Sequence, residues 1–144
     1  MSDASLPTKD EAVARLEAYQ ERLDDAAKDR GRYDALFDNA PAGVGLHEID
    51  ASGTITRVNA REMEFLGRTA EETVGRPAWA FSVMQEASRR AVERKLAGGG
   101  LKPFVRTLSR ADGTGITLAF VERYLMDASG KIAGIRTALM PIAS

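Results

Sequence analysis

Two short runs of alternating apolar character, Val44 to Ile49 and Ile55 to Val58, flank the stretch Asp50-Ala51-Ser52-Gly53 at hairpin distance. Turn formers between two such runs predict a pair of antiparallel strands. Asn59 then stands where a helix N-cap belongs, because its side-chain oxygen can accept from the unpaired amides of a first turn. Gly67 stands where that helix should end. Farther on, the pattern predicts two short helical turns around Ala70 to Trp79, a helix over Glu86 to Ala97 closed by Gly98-Gly99-Gly100, and three strands over 102–110, 115–126 and 132–142. On the longer helix Met84, Ala87, Ala91 and Val92 are assigned to the core side, and Arg89, Arg90, Arg94 and Lys95 to a solvated face rather than a nucleic-acid patch.

A long helical stretch precedes these elements. Thr8-Lys9-Asp10-Glu11 has the spacing of a capping box, and Pro7 blocks extension backwards. From there Leu16, Tyr19, Leu23, Ala26, Arg30, Tyr33 and Phe37 recur at alternating three- and four-residue steps, the spacing of a coiled-coil seam. Arg30 at an inner position and the helix-weakening Gly31 make the seam imperfect. It is read as a homodimer interface built from Leu16, Tyr19, Leu23, Ala26 and Tyr33, ahead of the alternative of one helix folded onto the exterior of its own sheet. The chain therefore divides into a disordered N-terminus (1–7), an amphipathic coiled-coil helix (8–36) and a domain over 37–144.

Composition narrows the functional classes. At 144 residues the chain suits one core, and a net charge of −1 gives no general attraction to nucleic acid or to a membrane surface. The apolar runs are too short to span a bilayer and no signal-peptide core opens the sequence, so a cytoplasmic location is expected. With no cysteine there is no thiol nucleophile or thiolate metal site, and one histidine rules out an all-histidine cluster within the chain. The triple glycine is not followed by lysine and a hydroxyl residue, so it is a hinge and not a phosphate loop.

The ordered series Phe37-Asp38-Asn39-Ala40-Pro41, the glycine-hydrophobic strand, the aspartate-glycine turn, Val58-Asn59, Leu66-Gly67 and Glu71-Glu72-Thr73-Val74-Gly75-Arg76-Pro77 resembles the opening of a PAS domain, a sensory module of signalling proteins. Ala111-Asp112-Gly113 and Asp127-Ala128-Ser129-Gly130 match the two later hairpin turns of that family. The resemblance implies an α+β fold: a five-stranded antiparallel sheet in the order 2-1-5-4-3 with helices on one face, here preceded by the long N-terminal amphipathic helix. It also implies a ligand pocket between the sheet and the helices after the second strand.

Strand alternation puts His47 and Ile49 on one face and Leu46 and Glu48 on the other, without deciding which is inner. In the photoactive-yellow branch of the family the positions matching His47 and Glu62 line the pocket. Glu62 also lies three and four residues before Phe65 and Leu66, which must face a core, and a carboxylate buried there needs a partner such as His47. Pocket candidates are thus His47, Glu62, Phe65, Leu66 and Trp79, with Phe81 at the edge and Arg106 and Arg136 as cations within reach of an anionic ligand. The histidine–glutamate pair reads either as a polar centre for a small molecule or as an ordinary contact pinning strand to helix.

The family's flavin-adduct members use a cysteine that this chain lacks, and its haem-binding members use a histidine on the long helix, which is also missing. Neither cofactor is expected, nor any metal. The aspartate-isoleucine-threonine ending common in the family is replaced by Met140-Pro141-Ile142-Ala143-Ser144. The resulting expectation is a bacterial-type sensory and dimerisation module, not an enzyme. It would bind a small molecule or relay a signal to an effector such as a histidine kinase, cyclase or transcription regulator. The alternative is a small acid-base enzyme using His47 and Glu62.

Overall fold

The computed structural model describes residues 6–143; residues 1–5, on which most of the expected disordered N-terminus falls, lie outside the described residues. Pro7 itself is tied down, its carbonyl accepting from the amide of Ala143 at 2.9 Å. The predicted capping box is present: Thr8 Oγ1 accepts from the Glu11 amide at 3.2 Å and Glu11 returns the bond to the Thr8 amide at 2.9 Å. It starts helix α1 (Lys9–Asp25), which is followed by α2 (Arg30–Asp38), β1 (Gly45–Asp50), β2 (Ile55–Val58), α3 (Ala60–Leu66), α4 (Ala70–Thr73), α5 (Gln85–Leu96), β3 (Phe104–Ser109), β4 (Gly115–Met126) and β5 (Ile132–Pro141). The five strands form one antiparallel sheet in the order β2-β1-β5-β4-β3.

Turn chemistry sets each hairpin. In the first, Asp50 Oδ1 accepts from Ser52 and Thr54 amides at 2.9 and 3.1 Å, the side-chain turn that aspartate favours. Asp112 and Asp127 repeat the arrangement in the β3–β4 and β4–β5 turns. Helix α3 begins and ends where its caps predict, with Asn59 Oδ1 accepting from the Glu62 amide at 3.0 Å and Gly67 in the left-handed conformation at φ 66°.

Helices α3 to α5 cover one face of the sheet, where Leu66 of α3 packs with Leu118, Phe120 and Leu139, and Phe81, between α4 and α5, packs with Ile49, Ile55 and Ile135. The opposite face, carrying Leu46, Ala119, Val121 and Ala138, is covered by α1 and α2. Here the structure corrects two expectations. The stretch 8–36 is not one helix: it breaks after Asp25, and Asp29 caps a new start by accepting from the Arg32 amide at 3.2 Å.

The seam is also not a free dimer interface. Leu16, Tyr19, Leu23, Ala26 and Tyr33 are all buried against the chain's own sheet. A three-four repeat specifies an apolar stripe and is silent about what covers it, and a sheet covers it as well as a second helix does. Full burial of leucines such as Leu16 and Leu23 contributes about 1.5–3 kcal/mol each. A dimer through this stripe would forgo that contribution.

Candidate functional site

Antiparallel pairing aligns two rows of polar side chains across the middle of the sheet, one on each face. On the α5 side His47 pairs with Thr137, and Thr137 with Glu122. One residue along each strand, on the α1 side, Arg57, Glu48, Arg136 and Arg123 stand in line. Successive side chains on a strand point to opposite faces, so three neighbouring pairs, His47/Glu48, Arg136/Thr137 and Glu122/Arg123, link the rows through the backbone.

The inner row is buried and paired. His47 Nδ1 lies 2.8 and 3.0 Å from the two carboxylate oxygens of Glu62, and the two residues are only 8% and 2% exposed. Thr137 Oγ1 donates to Glu122 Oε2 at 2.8 Å, and Glu122 Oε1 accepts from Lys95 Nζ at 2.7 Å. Burial is the largest influence on His47 and pulls its pKa down; the charge and hydrogen bond of Glu62, with Glu122 farther off, together outweigh it and hold the pKa above the ordinary histidine value.

The folded state therefore binds the proton more tightly than the unfolded chain. The resulting stabilisation is complete below the unfolded pKa of about 6.5 and is lost as pH rises through the folded value. Glu62→Gln should lower the His47 pKa with little change in shape. NMR titration of the imidazole checks this; equal values in wild type and variant would mean that the two groups are uncoupled.

Beside this row, between α5 and strands β1, β3, β4 and β5, lies a cavity of about 60 Å³. Its apolar walls include Ile49, Val92, Phe104, Leu108 and Phe120, and its polar groups are His47, Ser82, Ser88, Lys95, Arg106, Glu122 and Thr137. The cavity lies nearer α5 than the sequence suggested. Of the five pocket candidates only His47 lines it. Glu62 stands behind His47 as its partner, Phe65 and Leu66 pack into the neighbouring apolar core, and the Trp79 ring lies against Gly53 in the first hairpin turn.

Arg106 does reach the cavity, donating to Ser88 Oγ at 2.6 Å. Arg136 does not. It lies under α1, where it donates to Gln20 Oε1 at 2.6 Å and to Asp24. Gln20 in turn donates to the Val121 and Arg136 carbonyls at 2.8 and 3.1 Å. Tyr33 completes that face by donating to Glu48; burial first, then the Glu48 hydrogen bond and charge, push its hydroxyl pKa up to about 12.

Ser82, Ser88, Lys95, Glu122 and Thr137 are the polar cavity residues that sequence reasoning missed. Met84 and Ala87, assigned to the core side of α5, are exposed, and the helix instead turns Ser88, Ala91, Val92 and Lys95 inward. Those four follow the i, i+3, i+4, i+7 spacing of one helix face, which is the signal that was available. A lysine and a serine on that face read as solvated until a partner such as Glu122, 27 residues away, is known.

Comparison with known proteins follows the same architecture. A family model described as PAS fold matches residues 37–142. The C4-dicarboxylate transport sensor protein DctS of Rhodobacter capsulatus is 34% identical over 117 residues, covering 75% of this chain. The chain spans 18% of the length of that relative. Among solved structures, the PAS domain of an HTR-like protein from Haloarcula marismortui is 26% identical with a TM-score of 0.65, covering 88% of this chain and 99% of that one. A Rhodobacter sphaeroides LOV protein, at 15% identity, has a TM-score of 0.63 over 87% of this chain and 67% of its own, a likeness of fold alone. Among the described residues no helix is long and apolar enough to cross a membrane.

Proposed function

The chain belongs to the PAS fold family, and from that premise we propose that it is the ligand-sensing unit of a signalling protein, taking a small molecule into the cavity under α5 and passing the change through the sheet to α1 and α2. The observation that carries this reading is the cavity itself: open space beside buried hydroxyls and charges that a purely structural core would fill with apolar side chains. The two aligned polar rows supply a path. A ligand that moves Glu122, Thr137 or His47 also moves Arg123, Arg136 or Glu48, and Gln20 binds α1 directly to two carbonyls of that region.

The effector that receives the change is proposed to be a histidine kinase. The similarity to a transport sensor and to a domain of a sensor histidine kinase/response regulator from Geobacter sulfurreducens supports this. Homodimerisation through Leu16, Tyr19 and Leu23 forms no part of the proposal, because that stripe is covered by the sheet. The acid-base enzyme reading gains no support either: His47 Nδ1 is held by Glu62, and Glu62 does not line the cavity.

A library of small polar molecules, screened by thermal shift, tests the reading. A ligand at about a hundred times its Kd should stabilise the fold by about 2.7 kcal/mol, and Ala91→Leu, which puts bulk into the cavity wall, should abolish the response. Failure of every compound, together with no small molecule retained in native mass spectra, would leave the cavity without a sensory role.

A further inference from the structure

Resting on the reading of the cavity as a ligand site, we propose that its ligand is a short-chain carboxylate, with the carboxylate at the mouth between α5 and β3 and the carbon chain inside. The mouth is an open cleft of about 350 Å³ whose charged lining residues are Arg94, Lys95, Lys102 and Arg106. Among the described residues no carboxylate lines it. Ala91, Lys95, Phe104 and Arg106 line both the cleft and the inner cavity, so the two adjoin at these four residues.

The charges inside are matched and those at the mouth are not. Lys95 is paired with Glu122, and His47 with Glu62. Arg94, Lys102 and Arg106 have no carboxylate partner among the described residues. The side chain of Arg106 donates to the neutral hydroxyl of Ser88, and its guanidinium sits 5.4 Å from the centre of the Phe104 ring. A guanidinium stays charged, presents a fork of donors that fits a carboxylate, and gains most from an anion where it is partly shielded from water.

The C-terminal end of α5 opposes an anion, since it carries about half a negative charge. Three unmatched cations exceed that half charge. Inside, about 60 Å³ between Ile49, Val92, Phe104, Leu108 and Phe120 admits a chain of only a few carbons. An inorganic anion would leave these apolar walls without contact, and a neutral alcohol or amide would leave Arg106 without a counter-charge.

Titration of the full chain with butyrate, butyramide, 1-butanol and inorganic phosphate, followed by amide NMR shifts and calorimetry, tests the proposal. Butyrate should bind at least about tenfold more tightly than each of the other three. Arg106→Gln should weaken butyrate by about tenfold or more and leave 1-butanol unchanged, with Arg106→Lys intermediate; the variants' unchanged circular dichroism and shifts away from the mouth would establish that they fold. If butyramide or butanol matches butyrate, the charge assignment is wrong while the ligand cavity stands. Phosphate binding as tightly as butyrate would confine recognition to the cleft and overturn the role given to the carbon chain. Binding of none of the four overturns the carboxylate assignment, and silence from the wider library as well would remove the sensory reading beneath it.

Discussion

Asn59→Ala is expected to destabilise the domain by about 3–5 kcal/mol, more than the loss of a helix cap alone, for which about 1 kcal/mol is typical. The amide of Asn59 makes four bonds at a position only 1% exposed. Its oxygen accepts from the amides of Leu46 and Glu62, both at 3.0 Å, and its nitrogen donates to the carbonyls of Phe37 and Val44 at 3.1 and 3.2 Å. One side chain thus joins α2, β1 and α3. Alanine strands two donors and two acceptors where water has little access, and each unsatisfied group costs about 1–3 kcal/mol.

Asn59→Ser should fall between wild type and alanine, since a short hydroxyl can still cap α3 but cannot reach α2. Urea unfolding of the three proteins measures the order. A loss below 1 kcal/mol for alanine would show that water replaces the amide and that the junction is not sealed.

Gly134→Ala is expected to cost more than about 3 kcal/mol, for a reason that has nothing to do with polar groups. A Cβ at this position would lie 2.0 Å from the carbonyl oxygen of Ile49 and 3.3 Å from Cα of Asp50, both backbone atoms of the adjacent strand. Gly134 pairs with Asp50 on one side and Leu125 on the other, inside the sheet, so relief requires prising β1 from β5. Gly31→Ala provides the contrast: the nearest atom to its Cβ is the Asp29 carboxylate at 3.9 Å, and α2 should gain about 0.5–1 kcal/mol. Equal thermal stability of the two variants would refute the steric account.

These two glycines illustrate what a sequence reveals and what it withholds. Gly31 interrupts a helical repeat and its cost is visible locally, whereas the tightness at Gly134 depends on a strand more than eighty residues earlier. The same division runs through the fold. The first hairpin, the Asn59 and Gly67 caps and the later strands were legible because turn chemistry and two-residue alternation are local properties. The break at Ala26 to Lys28 was not, because no glycine or proline marks it and the seam spacing runs across it.

For the site, His47 and Glu62 were legible as a pair from helix geometry and family resemblance. Their setting was not. The cavity lies where Lys95, Arg106 and Glu122 converge from α5, β3 and β4, and long-range partners decide whether such charged residues face water or the interior.

The two polar rows impose a parity rule on the strands. His47, Glu122 and Thr137 differ by a single position from Glu48, Arg123 and Arg136, so inserting or deleting one residue within β1, β4 or β5 exchanges the addresses of cavity and helix contacts. A one-residue slip of β5 would aim Arg136 at the cavity and leave Gln20 facing a threonine. Within the regularly paired stretches only steps of two preserve the faces; single residues are absorbed at the irregularities beside Thr56 and Ala133, and further single-residue variation belongs in the aspartate turns at 50–54, 112–114 and 127–131, where a tag or reporter can be spliced without altering which face a residue serves.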